Sequence, residues 1–157
     1  MERSRQGQGA AFWLALAGTL VLALAACYSS ATASFHPGDA SQLVQEITRR
    51  GATVTATVSG DTGCNDSTLT DNALHLTIEV PDDSQPRDVY IFTFRSTSFG
   101  ASAAPIDACQ AAYAQAHPGA SVTRLDIAPY RAFGAGWPPS LSAIVTAALT
   151  EASNLGT

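Results

Sequence analysis

Apolar positions along this chain switch between a helical spacing and strict alternation, and the switches mark out the elements. In "DASQLVQEITRRG", Leu43, Val44 and Ile47 form one helical stripe. Asp39 is placed to cap that helix with Gln42 reaching back, and Gly51 to end it. "TVTATVS" then alternates Val54, Ala56 and Val58 with threonines, the mark of a half-buried strand. After the polar loop "GDTGCNDSTLTDN", the segment "ALHLTIEV" places Leu74, Leu76, Ile78 and Val80 on one face and His75, Thr77 and Glu79 on the other. "PDDSQPRD" reads as a turn. "VYIFTFR" beyond it is apolar on both faces, which predicts a strand central in the sheet or covered on its second face by a partner.

The second half repeats the alternation of types. Pro105 opens a helix whose Ile106, Cys109, Ala112, Tyr113 and Ala116 can face inward, with "HPG" as its end. "ASVTRLDIAPY" has Thr123, Leu125 and Ile127 in strand phase. The last helix, with Ser140 as its predicted cap, carries Leu141, Ile144, Val145, Ala148 and Leu149 on one face before Gly156. The expected fold class is α+β: an antiparallel-rich, four-stranded sheet with about three helices on one face, in the order α-β-β-β-α-β-α.

The N-terminus follows neither pattern. Arg3 and Arg5 precede an unbroken apolar run from Ala10 to Ala26, and then come Cys27 and a polar stretch, the layout of a secretory signal peptide. The run is close to the lower limit of about 17 residues for a membrane-spanning helix, so an uncleaved anchor is the alternative. "LAAC", Leu24 to Cys27, resembles the lipobox of bacterial lipoproteins. The resemblance implies cleavage before Cys27, a thioether-linked diacylglycerol on its sulfur, and a protein held on a bacterial membrane, facing outside the cytoplasm. Acyl chains contribute about 0.8 kcal/mol per buried CH₂, enough for several chains to hold a small domain in place. Tyr28 follows the cysteine, where an aspartate is associated with inner-membrane retention. The expected organisation is a signal peptide at 1–26, the lipidated cysteine and a tether at 27–38, and a single domain at 39–157.

Charge narrows the partners. Loss of residues 1–26 leaves six of the eight basic and twelve of the thirteen acidic residues, a net charge of −6 against −5 for the whole chain. Such a domain repels phosphate backbones, so nucleic acid is not an expected partner. The expected partners are the membrane, through Cys27, and a protein or glycan ligand. Cys64 and Cys109 are an even pair in an exported chain and read as a disulfide, with zinc ligation and a catalytic thiol as the rivals.

Chemistry-bearing motifs are sparse. "DTG" at Asp61–Gly63 matches the tripeptide of aspartic proteases, but Ser59 and Gly60 stand where two apolar residues should precede the aspartate. Asp61, Asn65, Asp66, Ser67 and Asp71 could offer oxygens to calcium, without an EF-hand's ligand alternation. His36 falls in the tether, His75 on the polar side of a strand, and His117 at a helix end, where it can satisfy free carbonyls. No metal or cofactor is expected, and no GxSxG, P-loop or dinucleotide fingerprint occurs. Tyr130, Arg131, Phe133 and Trp137, in "APYRAFGAGWPPS", are the candidate binding surface, since aromatics with arginine anchor interfaces or stack on sugars. The alternative is that Phe133 and Trp137 close one end of the core. The functional expectation is a non-catalytic binding or envelope-accessory domain. The alternative is a small tethered hydrolase using carboxylate acid–base chemistry, with Asp61 and a second acid or His75.

Overall fold

The computed structural model describes residues 40–94 and 103–155. The expected signal peptide, Cys27, the expected tether with His36, the expected cap at Asp39, and Gly156 lie outside the described residues. The remainder is α+β, with one antiparallel sheet of five strands in the order β1-β2-β3-β5-β4. Helix α1 (Ala40–Arg49) buries Leu43 and Ile47 and half-buries Val44, as the stripe predicts. Glu46 shares the buried face because Arg49 and Arg50, one turn on, reach its carboxylate. Gly51 ends the helix at φ +93°, a conformation that costs glycine nothing.

β1 (Thr53–Ser59) is an edge strand and is exposed along nearly all its length. Its alternation breaks at a bulge: Val54 pairs with Ile78 and Ala56 with Thr77, leaving Thr55 as the extra residue. Val54 therefore faces the core, whereas Val58 pairs with His75 on the opposite face and is 46% exposed. A short 3₁₀ helix (Ser67–Asn72) occupies the following loop. Asp66 caps it, accepting from the Thr68 amide at 2.9 Å and the Thr68 hydroxyl at 2.6 Å.

β2 (Ala73–Val80) has the predicted two faces, with Leu76, Ile78 and Val80 buried. The predicted turn beyond it shrinks to Pro81 and Asp82, and β3 (Asp83–Thr93) begins at once. Pro86 is accommodated because it falls in the register irregularity between the Ile78–Arg87 and Val80–Asp83 pairs. β3 is the central strand: Val89 and Ile91 enter one core, Tyr90, Phe92 and Phe94 the other.

That second core corrects the expectation of helices on one face. Helix α2 (Ala103–Ala116) packs Ile106, Cys109 and Tyr113 against Phe92 and Phe133, while α1 and α3 (Pro139–Leu155) cover the opposite side. A central strand apolar on both faces requires cover on both. Strand number is corrected as well. β4 (Val122–Ile127) turns at Ala128–Pro129, joined by a cis peptide bond, into β5 (Tyr130–Ala135), which inserts between β4 and β3. The order becomes α-β-β-β-α-β-β-α. Ser140 does not cap α3, which starts at Pro139; its hydroxyl donates to Asp82 at 2.7 Å.

Candidate functional site

Strand register assembles a polar cluster on the α2 side of the sheet. The β2–β3 ladder sets His75 opposite Tyr90 and Thr77 opposite Asp88, so these four side chains share a face. The imidazole of His75 stacks on the Tyr90 ring, with centroids 4.4 Å apart and planes 16° from parallel. Tyr90 in turn meets Tyr113 of α2 edge-on at 5.2 Å, and Tyr113 stacks on His117 at 4.1 Å. His117 closes the helix end as its position suggests, its Nδ1 donating to the Tyr113 carbonyl at 2.8 Å.

The Gly60–Asp66 loop lies against this row. The Gly60 amide still donates to the Ala73 carbonyl, at 2.9 Å, and the chain then leaves the sheet. Asp61 turns it back, its Oδ1 accepting from the Gly63 amide at 3.0 Å. The other oxygen of Asp61, Oδ2, comes to 2.8 Å from His75 Nδ1. His75 Nε2 lies 2.9 Å from Asp88 Oδ1, in line for a hydrogen bond. Nδ1 is shielded from water and makes no in-line hydrogen bond, so Asp61 lies against it without a directed donation. The His75 side chain is the most enclosed of the three, 14% exposed, whereas the carboxylates of Asp61 and Asp88 are 41% and 46% exposed.

Two further contacts fix the loop. Gly63, at φ +67°, sits so close to Tyr90 that an added Cβ would fall 2.8 Å from its ring carbons. Cys64 forms a disulfide with Cys109 of α2, with Cα atoms 5.4 Å apart. The disulfide expectation is met, and the zinc and free-thiol alternatives are removed. Burial, followed by the charges of Asp88 and Asp61 and by Tyr113, pushes the Tyr90 phenol well above its ordinary value. Tyr113 is pushed up by burial and by Asp88 against a smaller opposing hydrogen bond with the Ala135 backbone.

Chemically the cluster is a histidine held between two carboxylates, one on each ring nitrogen. Opposite placement keeps the carboxylates from converging, and among the described residues no group of three His, Cys, Asp or Glu side chains could hold a metal ion. The hydroxyl that joins the cluster, Thr77 Oγ1, approaches Asp88 Oδ1 at 3.5 Å rather than the imidazole. The oxygen-rich loop is committed internally, with Asp61 on Gly63 and His75 and Asp66 on Thr68.

The four aromatic and arginine residues singled out in the sequence form no exposed patch. Tyr130, Arg131 and Phe133 are at most 3% exposed within β5, and Trp137 is 8% exposed just after it. Trp137 donates its indole N–H to the Asp88 carbonyl at 2.9 Å. Arg131 enters an ionic network, donating Nε to Asp126 and a terminal nitrogen to Asp107 at 2.8 Å, with Arg124 bonded to the same two aspartates. Burial pushes the Asp126 carboxyl up, but the hydrogen bonds from Arg124 and Arg131 outweigh it and hold the group below the usual carboxylate range. The guanidinium also lies 5.8 Å from the centroid of the Phe94 ring.

Sequence reasoning singled out Asp61 and His75 and did not name Asp88. The alternation in β2 assigned His75 to the polar face, but nothing local tells which β3 residue lies opposite it. Comparison with known proteins gives no matching family model, no matching curated protein and no matching solved structure.

Proposed function

We propose that this chain is a membrane-anchored extracytoplasmic lipoprotein, lipidated at Cys27, whose α+β domain serves a non-catalytic binding or accessory role in the cell envelope. The observation that carries this reading is the Cys64–Cys109 disulfide, because such bonds persist in oxidising compartments outside the cytoplasm. The "LAAC" segment supplies the route there and the anchor. Among the described residues no helix is long and apolar enough to cross a membrane. A carboxylate beside each imidazole nitrogen supports the non-catalytic assignment, since a general base must reach its substrate's proton directly.

The intact mass of protein extracted from the native membrane, before and after reduction, tests the reading. The expected product begins at Cys27, carries acyl mass, and yields two free thiols only on reduction. A Cys27→Ser variant should leave the membrane fraction. An unacylated chain beginning at Met1, or a variant indistinguishable from wild type, refutes it.

Juxtaposition of Asp61, His75 and Asp88 favours a second reading, a small tethered hydrolase with a carboxylate as general acid or base. Hydrolysis of model ester, peptide or glycoside substrates that disappears in both Asp61→Asn and Asp88→Asn would establish it. A wild-type protein inert toward all three classes removes it.

A further inference from the structure

We infer that His75 is a protonation-gated clasp that fastens the Gly60–Asp66 loop to the sheet, closed while the imidazole carries both protons and released when Nδ1 loses its own. The inference rests on the cluster's geometry and not on lipidation of Cys27. The loop is held at two points: Cys64 is bonded covalently to α2, and Asp61 is held by charge to His75. The covalent point cannot respond to pH. The charged point can, because a ring with two N–H groups satisfies two flanking carboxylates and a neutral ring satisfies one.

Geometry decides which carboxylate is released. Nε2 is aligned with Asp88 Oδ1 at 2.9 Å and keeps its proton in the neutral tautomer. Nδ1 then turns a lone pair toward Asp61 Oδ2 at 2.8 Å, inside a pocket that shields the nitrogen from water. Two electron-rich atoms at that distance repel. Asp61 is the mobile partner, since Asp88 belongs to the central strand and its carbonyl receives the Trp137 indole. The proton departs to solvent, the Asp61 end of the loop lifts, and Gly63 moves off the Tyr90 ring, uncovering it beside the imidazole.

The titratable groups around His75 come from several elements. Facing it are Asp61 from the loop, Asp88 and Tyr90 from β3, and uncharged Val58 from β1. Beyond Tyr90 stands Tyr113 of α2, with His117 stacked on its far side; Glu79 lies farther along the same face of β2. Carboxylates stay charged and phenols neutral between about pH 5.5 and 8, where imidazoles change charge. His117 is therefore the control.

Amide hydrogen exchange of the purified full-length chain in detergent, followed over Gly60–Asp66 at pH 5.5 and pH 8 and corrected for intrinsic exchange chemistry, tests the clasp. Protection of the loop should fall several-fold at the higher pH, the scale of one partly exposed ion pair. Protection of β3 should not change. In Asp61→Asn the difference should vanish, because the side-chain amide can donate to a neutral Nδ1. It should persist in His117→Gln. Equal protection of the wild-type loop at both pH values overturns the clasp, as does a pH difference that survives Asp61→Asn or is lost in His117→Gln. Asp61 lies in a loop and its side chain is 41% exposed, so Asp61→Asn is expected to fold.

Discussion

Gly63 is the residue on which the loop's fit depends most directly. It combines a left-handed backbone with an aromatic ring where a side chain would start, and Tyr90 cannot retreat because His75 and Tyr113 flank it. Gly63→Ala should therefore destabilise the protein by about 1–3 kcal/mol, from αL strain and the contact together. A thermal melt by circular dichroism would read this as a fall of several degrees, and an unchanged melt would mean that the loop does not rest on Tyr90. Arg131 illustrates the opposite case, a charge that looked functional and is structural. Its guanidinium is buried because two aspartates and the Phe94 ring take the place of water around it.

At the scale of elements, the disulfide joins two pieces that the sheet does not pair. The loop leaves the β1 edge, α2 sits on the face formed by β3 and β5, and the bond spans a sequence separation of 45. Closing a loop of that size restricts the unfolded chain by roughly 4 kcal/mol in the entropy model, with measured values commonly 2–4. A Cys64→Ser/Cys109→Ser double variant should lower the denaturant midpoint and steepen the slope, because the unfolded chain without the cross-link exposes more surface. A variant as stable as wild type would show that α2 and the loop are held by packing alone. β5 is the element that the sequence hid, because it is buried on both faces and shows no alternation. Glycines and prolines around it, Pro129, Gly134 and Gly136, made a strand read as a connection. Gly134 is needed there for close approach, since a Cβ would overlap the Asp88 carbonyl and the Trp137 indole.

For the molecule as a whole, stability is bounded by different groups at the two ends of the pH scale. Asp126 has a lowered folded-state pKa, so its contribution is present above the ordinary aspartate value and is lost as pH falls through the folded-state value. Tyr90 has a raised one, so its contribution is present below the ordinary phenol value, about pH 10, and is lost as pH rises above it. The melting temperature should therefore decline at both extremes. Tyr90→Phe, which retains the ring stack, should flatten the alkaline decline and leave the acid one in place. An alkaline decline identical in the variant would assign that limb to other groups, Tyr113 first among them.

Local pattern was enough to place α1, β2, the two-sided β3 and α3, because side-chain periodicity is a property of consecutive residues. It also exposed the even cysteine pair, which depends on composition and order alone. It could not supply what depends on residues far apart in the chain. The insertion of β5 between β3 and β4, the helix on each face of the sheet and the burial of Tyr130, Arg131, Phe133 and Trp137 follow from which surfaces meet. The Asp61–His75–Asp88 cluster is of the same kind: its members come from a loop and two strands, and only the β2–β3 register and the loop's return over Tyr90 bring them within hydrogen-bonding range.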